Sequence, residues 1–335
     1  MIRCLHEAVA VPALTAPYDT VHLRVFHEAH RTDDPLETQS GMLPADRSAG
    51  PRPVVVVLPG VNIGPEGYRW LAERWVAEGF VVVTLALVGE PMPGLAGITP
   101  GMDLDACRPD TYGSRPTALV VGPVVELLGR MALDGPLAGV LDPERIVLAG
   151  FSAGGTMALQ NANPDWFPVV AAISYAGHTM ASTMLGWPER TVLPVAGDTP
   201  VPVLMLAGEL DGVVSASATR YVEGDGAGPG PGPAHDPVER TFSEALGARP
   251  GPAPTAHLAV LRGATHTSLL DPYDGTTGRG FLDPAPGRPP GAIRDAIGDL
   301  SSAFLGAHVL DRGGDSARLA ELLADVDIVV RGLSR

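Results

Sequence analysis

Ser152 stands between Gly150 and Gly154 in ERIVLAGFSAGGTMAL, residues 144–159, where an apolar run passes through a glycine-flanked serine into a helix-like pattern. Glycines on both sides imply a turn too tight for neighbouring side chains, with the hydroxyl at its tip. A serine hydroxyl is a poor nucleophile at neutral pH, so it needs a base within hydrogen-bond reach and a third group to orient that base. The base is expected late in the chain, in a loop past the carboxyl end of a strand, and His266 in LRGATHTSLL meets that condition. The orienting acid is expected between the two, again just past a strand, where Asp211 in VLMLAGELDGVV lies. Glu209, two residues earlier, and Asp271 and Asp274, which follow the histidine, are competing carboxylates. Each of the three chosen residues caps a different strand, which would gather them at the sheet edge where open α/β folds bind ligands.

The chain has 9 histidines, and those other than His266 compete for the role of base. His6, His27 and His30 precede the core, and HEAH at 27–30 departs from the H-E-x-x-H zinc pattern and reads as a solvated strand end. His235 falls in a Gly/Pro tract, His257 at a strand start and His308 in a C-terminal helix. His178 in SYAGHTMAS follows a strand on the same edge as Ser152 and is expected in the pocket wall. Acyl transfer also demands donors for a developing oxyanion. One is expected to be the N–H of Ala153, directly after the nucleophile, and the other the N–H of Val61, where VVVVLPGVNIG leaves its strand. Asn62 is the neighbouring candidate. Asn62, Phe151, His178 and Met102 are the expected substrate contacts.

These residues need a scaffold, and the hydrophobic pattern describes one. A strand is expected at Val21 to His27, then a Pro-, Asp-, Ser- and Gly-rich loop from Thr32 to Pro53. PVVVVLPG reads as a strand buried on both faces. Tyr68, Leu71, Ala72, Trp75 and Val76 then recur on one helical face, and FVVVTLAL from Phe80 reads as a second buried strand. Strand, helix, strand is the signature of a parallel crossover. Residues 89–116 read as a long loop, either a lid or a surface insertion, with Met92, Leu95, Ile98 and Met102 as an apolar wall. ALVVGPVVELLGRMA reads as a helix kinked at Pro123, and RIVLAG as the strand before Ser152. PVVAAISYAG, PVPVLMLAGE and AHLAVLRG are further strands, with helices around Ala216 to Val222, at Val238 to Leu246 and in two C-terminal segments. The tract 224–237 reads as a flexible Gly/Pro-rich insert. No internal repeat or linker divides the chain, so residues 1–335 are expected to form a single domain.

Composition narrows the function. With 335 residues and 45% hydrophobic composition the chain can bury a large core. Its formal net charge of −15 repels phosphate backbones and anionic membranes, so neither nucleic acid nor membrane is an expected partner. Cys4 and Cys107 lack metal-ligand spacing, and no metal or cofactor is called for. The first residues lack the apolar stretch of a secretory signal, and no apolar run approaches the roughly 20 residues of a membrane span. A cytoplasmic protein is expected.

With these residues in hand, the chain resembles the α/β-hydrolase superfamily over about residues 18–310. LPGVNIGPEGYRWLAERWVAEGFVVV, GFSAGGTMAL and PVLMLAGELDGVV are similar to the branch of dienelactone-hydrolase-like proteins, chlorophyllases and cutinase-type polyester hydrolases. The resemblance implies an α/β-hydrolase fold, a mainly parallel central sheet with helices on both faces. It also implies a carboxylic-ester hydrolase with Ser152 as nucleophile, Asp211 as acid, His266 as base, and Val61 and Ala153 as oxyanion donors. Three departures stand out. Dienelactone hydrolases use a cysteine where this chain has Ser152, the leader and C-terminal disulfide of secreted polyester hydrolases are missing, and the stretch between Asp211 and His266 is longer than is usual. The expectation is a serine esterase acting on a small hydrophobic ester or lactone. A thioesterase, acyltransferase or cyclase using the same triad is the alternative, followed by a non-catalytic ligand-binding member. The oligomeric state stays open.

Overall fold

The runs RPVVVVL and VVVTLALVGEPM become neighbouring parallel strands, because β-branched residues covered by helices on both faces need no polar alternation. The computed structural model describes residues 1–92, 94–195, 201–221, 236–246 and 255–335, the side chains at 91, 92, 218 and 219 excepted. In chain order the strands are β1 (Ile2–Ala10), β2 (Thr20–Glu28), β3 (Arg52–Leu58), β4 (Val81–Met92), β5 (Leu95–Thr99), β6 (Leu141–Phe151), β7 (Val169–Tyr175), β8 (Val203–Gly208), β9 (Ala256–Leu261) and β10 (Val329–Ser334). They form one sheet in the order β1-β2-β4-β3-β6-β7-β8-β9-β10, with β5 hairpinned onto β4. Every pair from β4 through β9 along that path is parallel, and the edges contributed by β1, β2 and β10 are antiparallel.

The helices are α1 (Pro35–Ser40), α2 (Arg69–Ala77), α3 (Val121–Leu133), α4 (Ala153–Gln160), α5 (Gly212–Ser217), α6 (Asp236–Arg240), α7 (Pro290–His308) and α8 (Asp315–Ala324). Two hydrophobic cores lie on opposite faces of the sheet. One joins Val54, Val56 and Leu58 of β3 to Val121, Val124 and Leu128 of α3, with Met157 of α4 and Val238 of α6. The other joins Val55 and Val57 to Leu71 and Trp75 of α2, Ile297 and Phe304 of α7, and Leu319 of α8. This is the mainly parallel sheet with helices on both faces expected from the alternation of elements, and the α/β-hydrolase architecture that the resemblance implied. Among the described residues no helix is long and apolar enough to cross a membrane.

Several local expectations are corrected. The loop expected from Thr32 to Pro53 contains α1, whose first turn is capped when Asp34 accepts from the N–H of Leu36, and its last residues already belong to β3. Pro123 does not kink α3, because it lies in the first turn, where its missing N–H would have no intrahelical acceptor. Residues 89–116 are not one long loop: β4 runs on to Met92 and turns back as β5. The helix expected at Ala216 to Val222 starts earlier, as α5, and ends in a 3-10 turn at Ala218–Tyr221. His27 is no solvated strand end; it is 1% exposed, and burial lowers its pKa. Strands β1 and β10 went unforeseen. Residues 224–235 of the Gly/Pro tract, with His235, lie outside the described residues, and Asp236 and Pro237 open α6.

Candidate active site

The turn from β6 into α4 puts Ser152 at φ 55 and ψ −120, a conformation that non-glycine residues avoid at a cost of about 1–3 kcal/mol. The flanking glycines permit it by leaving space. A Cβ on Gly150 would lie 2.1 Å from the carbonyl oxygen of Gly154, and one on Gly154 would lie 2.2 Å from that of Leu58. The turn is held on both sides: the Ser152 N–H donates to Tyr175 O at 2.8 Å, and the Thr156 N–H donates to Ser152 O at 2.9 Å. Strain held by this many partners points to a position that the fold has to fix.

Asp211 follows β8 and His266 follows β9, both beyond the carboxyl ends of parallel strands beside β6 and β7. The Asp211 carboxylate accepts from His266 Nδ1 through Oδ2 at 2.8 Å and from the Val214 N–H through Oδ1 at 2.7 Å. Asp211 is 1% and His266 6% exposed, so the pair is shielded from water. An imidazole tied at Nδ1 is left with Nε2 as its working nitrogen. His266 also packs on the ring of Phe151, 4.8 Å between centroids. Ser152 and His266 line one cavity of about 470 Å³, together with Val61 and Ala153. Among the hydrogen bonds of the described residues none joins Ser152 Oγ to His266.

Both candidate oxyanion donors border the cavity. Ala153 is the first residue of α4, where a helix N–H has no intrahelical acceptor. Val61 follows β3, and its neighbour Gly60 is anchored by donating its N–H to Tyr68 Oη at 3.0 Å. Asn62 is excluded as a donor, because its N–H is spent on Ile98 O at 2.8 Å.

The dienelactone hydrolase family matches residues 40–225 of this sequence, more than half of the chain. The chain belongs to the dienelactone hydrolase family. A protein of Nocardia uniformis subsp. tsuyamanensis named "Putative esterase NocK" is 32% identical over 163 residues, which are 46% of this chain and 44% of that protein. The chain thus matches less than half the length of that relative. A solved ferulic acid esterase from Streptomyces cinnamoneus superposes with a TM-score of 0.56 at 16% identity, covering 93% of this chain and 91% of that one. At that identity the likeness concerns the fold. The family match ends short of His266, so the place of the histidine rests on the geometry alone.

Other expected substrate contacts divide. Met102 and His178 line the cavity of this dienelactone hydrolase family member, and Phe151 and Asn62 do not. Phe151 is 1% exposed and lies beneath the site, against Tyr68, Tyr175 and His266. The two-residue period of β6 puts it on the same face as Val147 and Ala149. Asn62, at φ 59, lies against Gly97 and borders a separate cavity of about 540 Å³. The competing carboxylates serve elsewhere. Glu209 accepts from the Gly263 N–H at 2.8 Å, Asp271 pairs with Arg294, and Asp274 caps the turn at Thr276. Of the apolar wall expected from Met92, Leu95, Ile98 and Met102, Leu95 is exposed, Ile98 borders the second cavity and Met102 faces the first, while the Met92 side chain lies outside the described residues. Leu104 and Cys107, not foreseen, also face the first cavity.

His178 keeps Nε2 within 3.0 Å of Tyr221 Oη, and its buried Nδ1 has no hydrogen-bond partner among the described residues. Burial, then His266 and Arg220, lowers its pKa to about 4, so it is neutral at physiological pH. Burial pushes Tyr221 up to about 12. Among the described residues no group of three or more His, Cys, Asp or Glu is placed to hold a metal.

Asp283 was not anticipated. Its Oδ1 accepts from the N–H groups of Gly212 and His266 at 3.0 and 3.2 Å, and its Oδ2 accepts from the N–H and hydroxyl of Thr267, both at 3.0 Å. One carboxylate therefore ties the turn after Asp211 to the turn carrying His266. Tyr175 Oη donates to Thr265 O at 2.7 Å and Trp70 Nε1 to Leu269 O at 2.8 Å, bracing the same histidine turn. Trp187, Arg220, Tyr221 and Arg279 also line the cavity without having been foreseen. An aspartate 17 residues past the histidine carries no local motif, and only the chain path reveals its role.

Proposed function

We propose that this protein is a carboxylic ester hydrolase that works through an acyl-enzyme on Ser152. Oγ of Ser152 attacks the acyl carbon as His266 Nε2 takes its proton, and the carbonyl oxygen becomes an oxyanion accepting from the N–H groups of Val61 and Ala153. The tetrahedral species collapses when the carbon–oxygen bond to the alcohol breaks and the imidazolium returns its proton to that oxygen. A water, deprotonated by His266, then attacks the acyl-serine, and the acid leaves as Ser152 Oγ recovers its proton. Asp211 stays ionised throughout and stabilises the imidazolium.

The observation that carries this reading is the 2.8 Å contact of Asp211 Oδ2 with His266 Nδ1, buried beside a strained Ser152 on a shared cavity. Family membership and the name of the Nocardia relative support the same class of reaction. Met102, Leu185, Trp187 and Leu193 give the cavity apolar walls suited to a hydrophobic acyl or lactone group of medium size.

A fluorophosphonate probe tests the nucleophile. The wild type is expected to be phosphonylated at Ser152 and to hydrolyse p-nitrophenyl esters, and Ser152→Ala is expected to lose both. Failure of the wild type to react with the probe, or labelling that persists in Ser152→Ala, removes the proposal.

A further inference from the structure

The sheet ends in two strands, β1 and β10, and only one of these edges is protected. β10 is 6 residues long, contains Gly332 and shifts register at a bulge between Val329 and Arg331. Shortness and bulges keep an edge from pairing with another chain. β1 has neither. Its 9 residues run in unbroken register with β2, from Ile2 opposite Glu28 to Ala10 opposite Thr20, and include no proline or glycine.

The strand's two ends show which backbone groups are free. The Met1 ammonium donates to Ala29 O at 2.9 Å, the Ala29 N–H donates to Met1 O at 2.8 Å, and the Val11 N–H donates to Asp19 O at 2.7 Å. Odd-numbered residues of β1 therefore turn their N–H and C=O toward β2, and Ile2, Cys4, His6, Ala8 and Ala10 turn theirs outward. Among the described residues no backbone hydrogen bond takes up those outward groups.

A second copy of β1, laid antiparallel on this edge, fits best in one register. With the two-fold axis at Leu5, Ile2 meets Ala8 and Cys4 meets His6 as hydrogen-bonded pairs. Arg3 then meets Glu7 twice, and Leu5 meets its own copy, at the non-hydrogen-bonded positions where facing side chains lie closest. Neither charge has an ion-pair partner among the described residues; the guanidinium of Arg3 donates to Gly41 O. An axis at Arg3 or Glu7 would oppose like charges, and one at Cys4 or His6 would set each charge against an apolar side chain.

We propose that this protein forms a two-fold dimer through β1, joining two sheets into one, with Arg3 facing Glu7 of the partner subunit and Leu5 on the axis. Three strands separate β1 from β6, so the dimer leaves the Ser152 cavity open and stands apart from the hydrolase reading.

Strand pairing buries less than the roughly 1,600 Å² of a standard interface, so a reversible dimer is expected, with a dissociation constant on the order of 10 µM. Sedimentation across a dilution series reads it. Arg3→Glu and Glu7→Arg each turn both ion pairs into like-charge pairs and should raise the dissociation constant by about tenfold, and the double reversal should restore it. On mild oxidation Leu5→Cys should give a covalent dimer on a non-reducing gel, and Cys4 of the wild type, opposite a histidine, should not. Circular dichroism verifies that each variant is folded. A wild type that stays monomeric up to about 1 mM overturns the inference. So does a dimer that both single reversals leave unchanged, or one that cross-links through Cys4 and not through Leu5→Cys, since either assigns the contact to another face or register.

Discussion

The floor and the wall of the Ser152 cavity are held by different means. The floor consists of strand ends: Ser152 after β6, Asp211 after β8 and His266 after β9, each secured by buried hydrogen bonds to neighbouring turns. The wall comes from connecting segments, with Met102, Leu104 and Cys107 before α3, His178 to Leu193 after β7, and Val213 to Tyr221 in α5 and the turn that follows. In the proposed mechanism, the groups that must meet within a few tenths of an ångström are those the sheet fixes, and the groups that would select the guest are those on connecting segments. Substitutions in the floor should therefore collapse the rate, and substitutions in the wall should change preference.

Asp211→Asn is the sharpest way to break that contrast. The amide keeps the size of the carboxylate but cannot offset the imidazolium and favours the wrong tautomer, so kcat is expected to fall by about 10³–10⁴ with the fold retained. Glu209→Gln is the control. Glu209 caps the Gly263 N–H instead of reaching the histidine, so its loss should touch stability by about 1 kcal/mol and leave the rate near wild type. Steady-state kinetics and thermal melts of both variants decide the matter. A near-normal rate in Asp211→Asn would separate the buried pair from the chemistry.

Next in size is Asp283, which belongs to the floor although it touches no reacting group. Asp283→Asn leaves one acceptor oxygen where there were two, so either the Gly212 and His266 amides or the Thr267 group loses its bonds. A loss of about 10–100-fold in kcat is expected, with KM nearly unchanged, because the histidine turn loosens while the wall stays in place. If Asp283 acts through the acid–base pair, its cost should shrink once Asp211→Asn is already present. Full additivity in the double variant would assign Asp283 to general stability.

The same contrast explains how much the sequence disclosed. Ser152, Asp211 and His266 each carry a local mark, a turn residue directly after an apolar run, and the sheet topology that gathers them follows from strand and helix alternation. Adjacency alone misled for Phe151 and Asn62. Phe151 is next to Ser152 in the chain, but strand alternation turns it to the opposite side, and Asn62 follows Val61 but lies against Gly97 of β5. Asp283, Arg220 and Arg279 lie in 3-10 turns or loops, where no periodicity tells which way a side chain points. Strand β10 was missed for a related reason: its sequence, VVRGLS, is short and glycine-broken, and its pairing with β9 passes a bulge between Val329 and Arg331.

The smallest effect belongs to His178, a wall residue, and is read in stability. Its folded-state pKa of about 4 lies below the ordinary value of 6.5, so between those limits the unfolded chain holds a proton that the folded protein refuses. Stability contributed by the neutral ring is present in full above pH 6.5 and declines as pH falls toward 4. His257, lowered to about 4 by burial and by His308, adds a slope of the same sign. His178→Gln should therefore flatten the dependence of unfolding free energy on pH between 6.5 and 4 by about one proton without abolishing it. Urea unfolding at half-unit steps of pH measures this directly. In the same variant the acid limb of the pH–rate profile should keep its midpoint, since His178 carries no proton in the working range, and only the height of the profile should fall. An unchanged unfolding slope, or an acid limb that moves, would show that His178 titrates during turnover and would place this part of the wall among the groups that do chemistry.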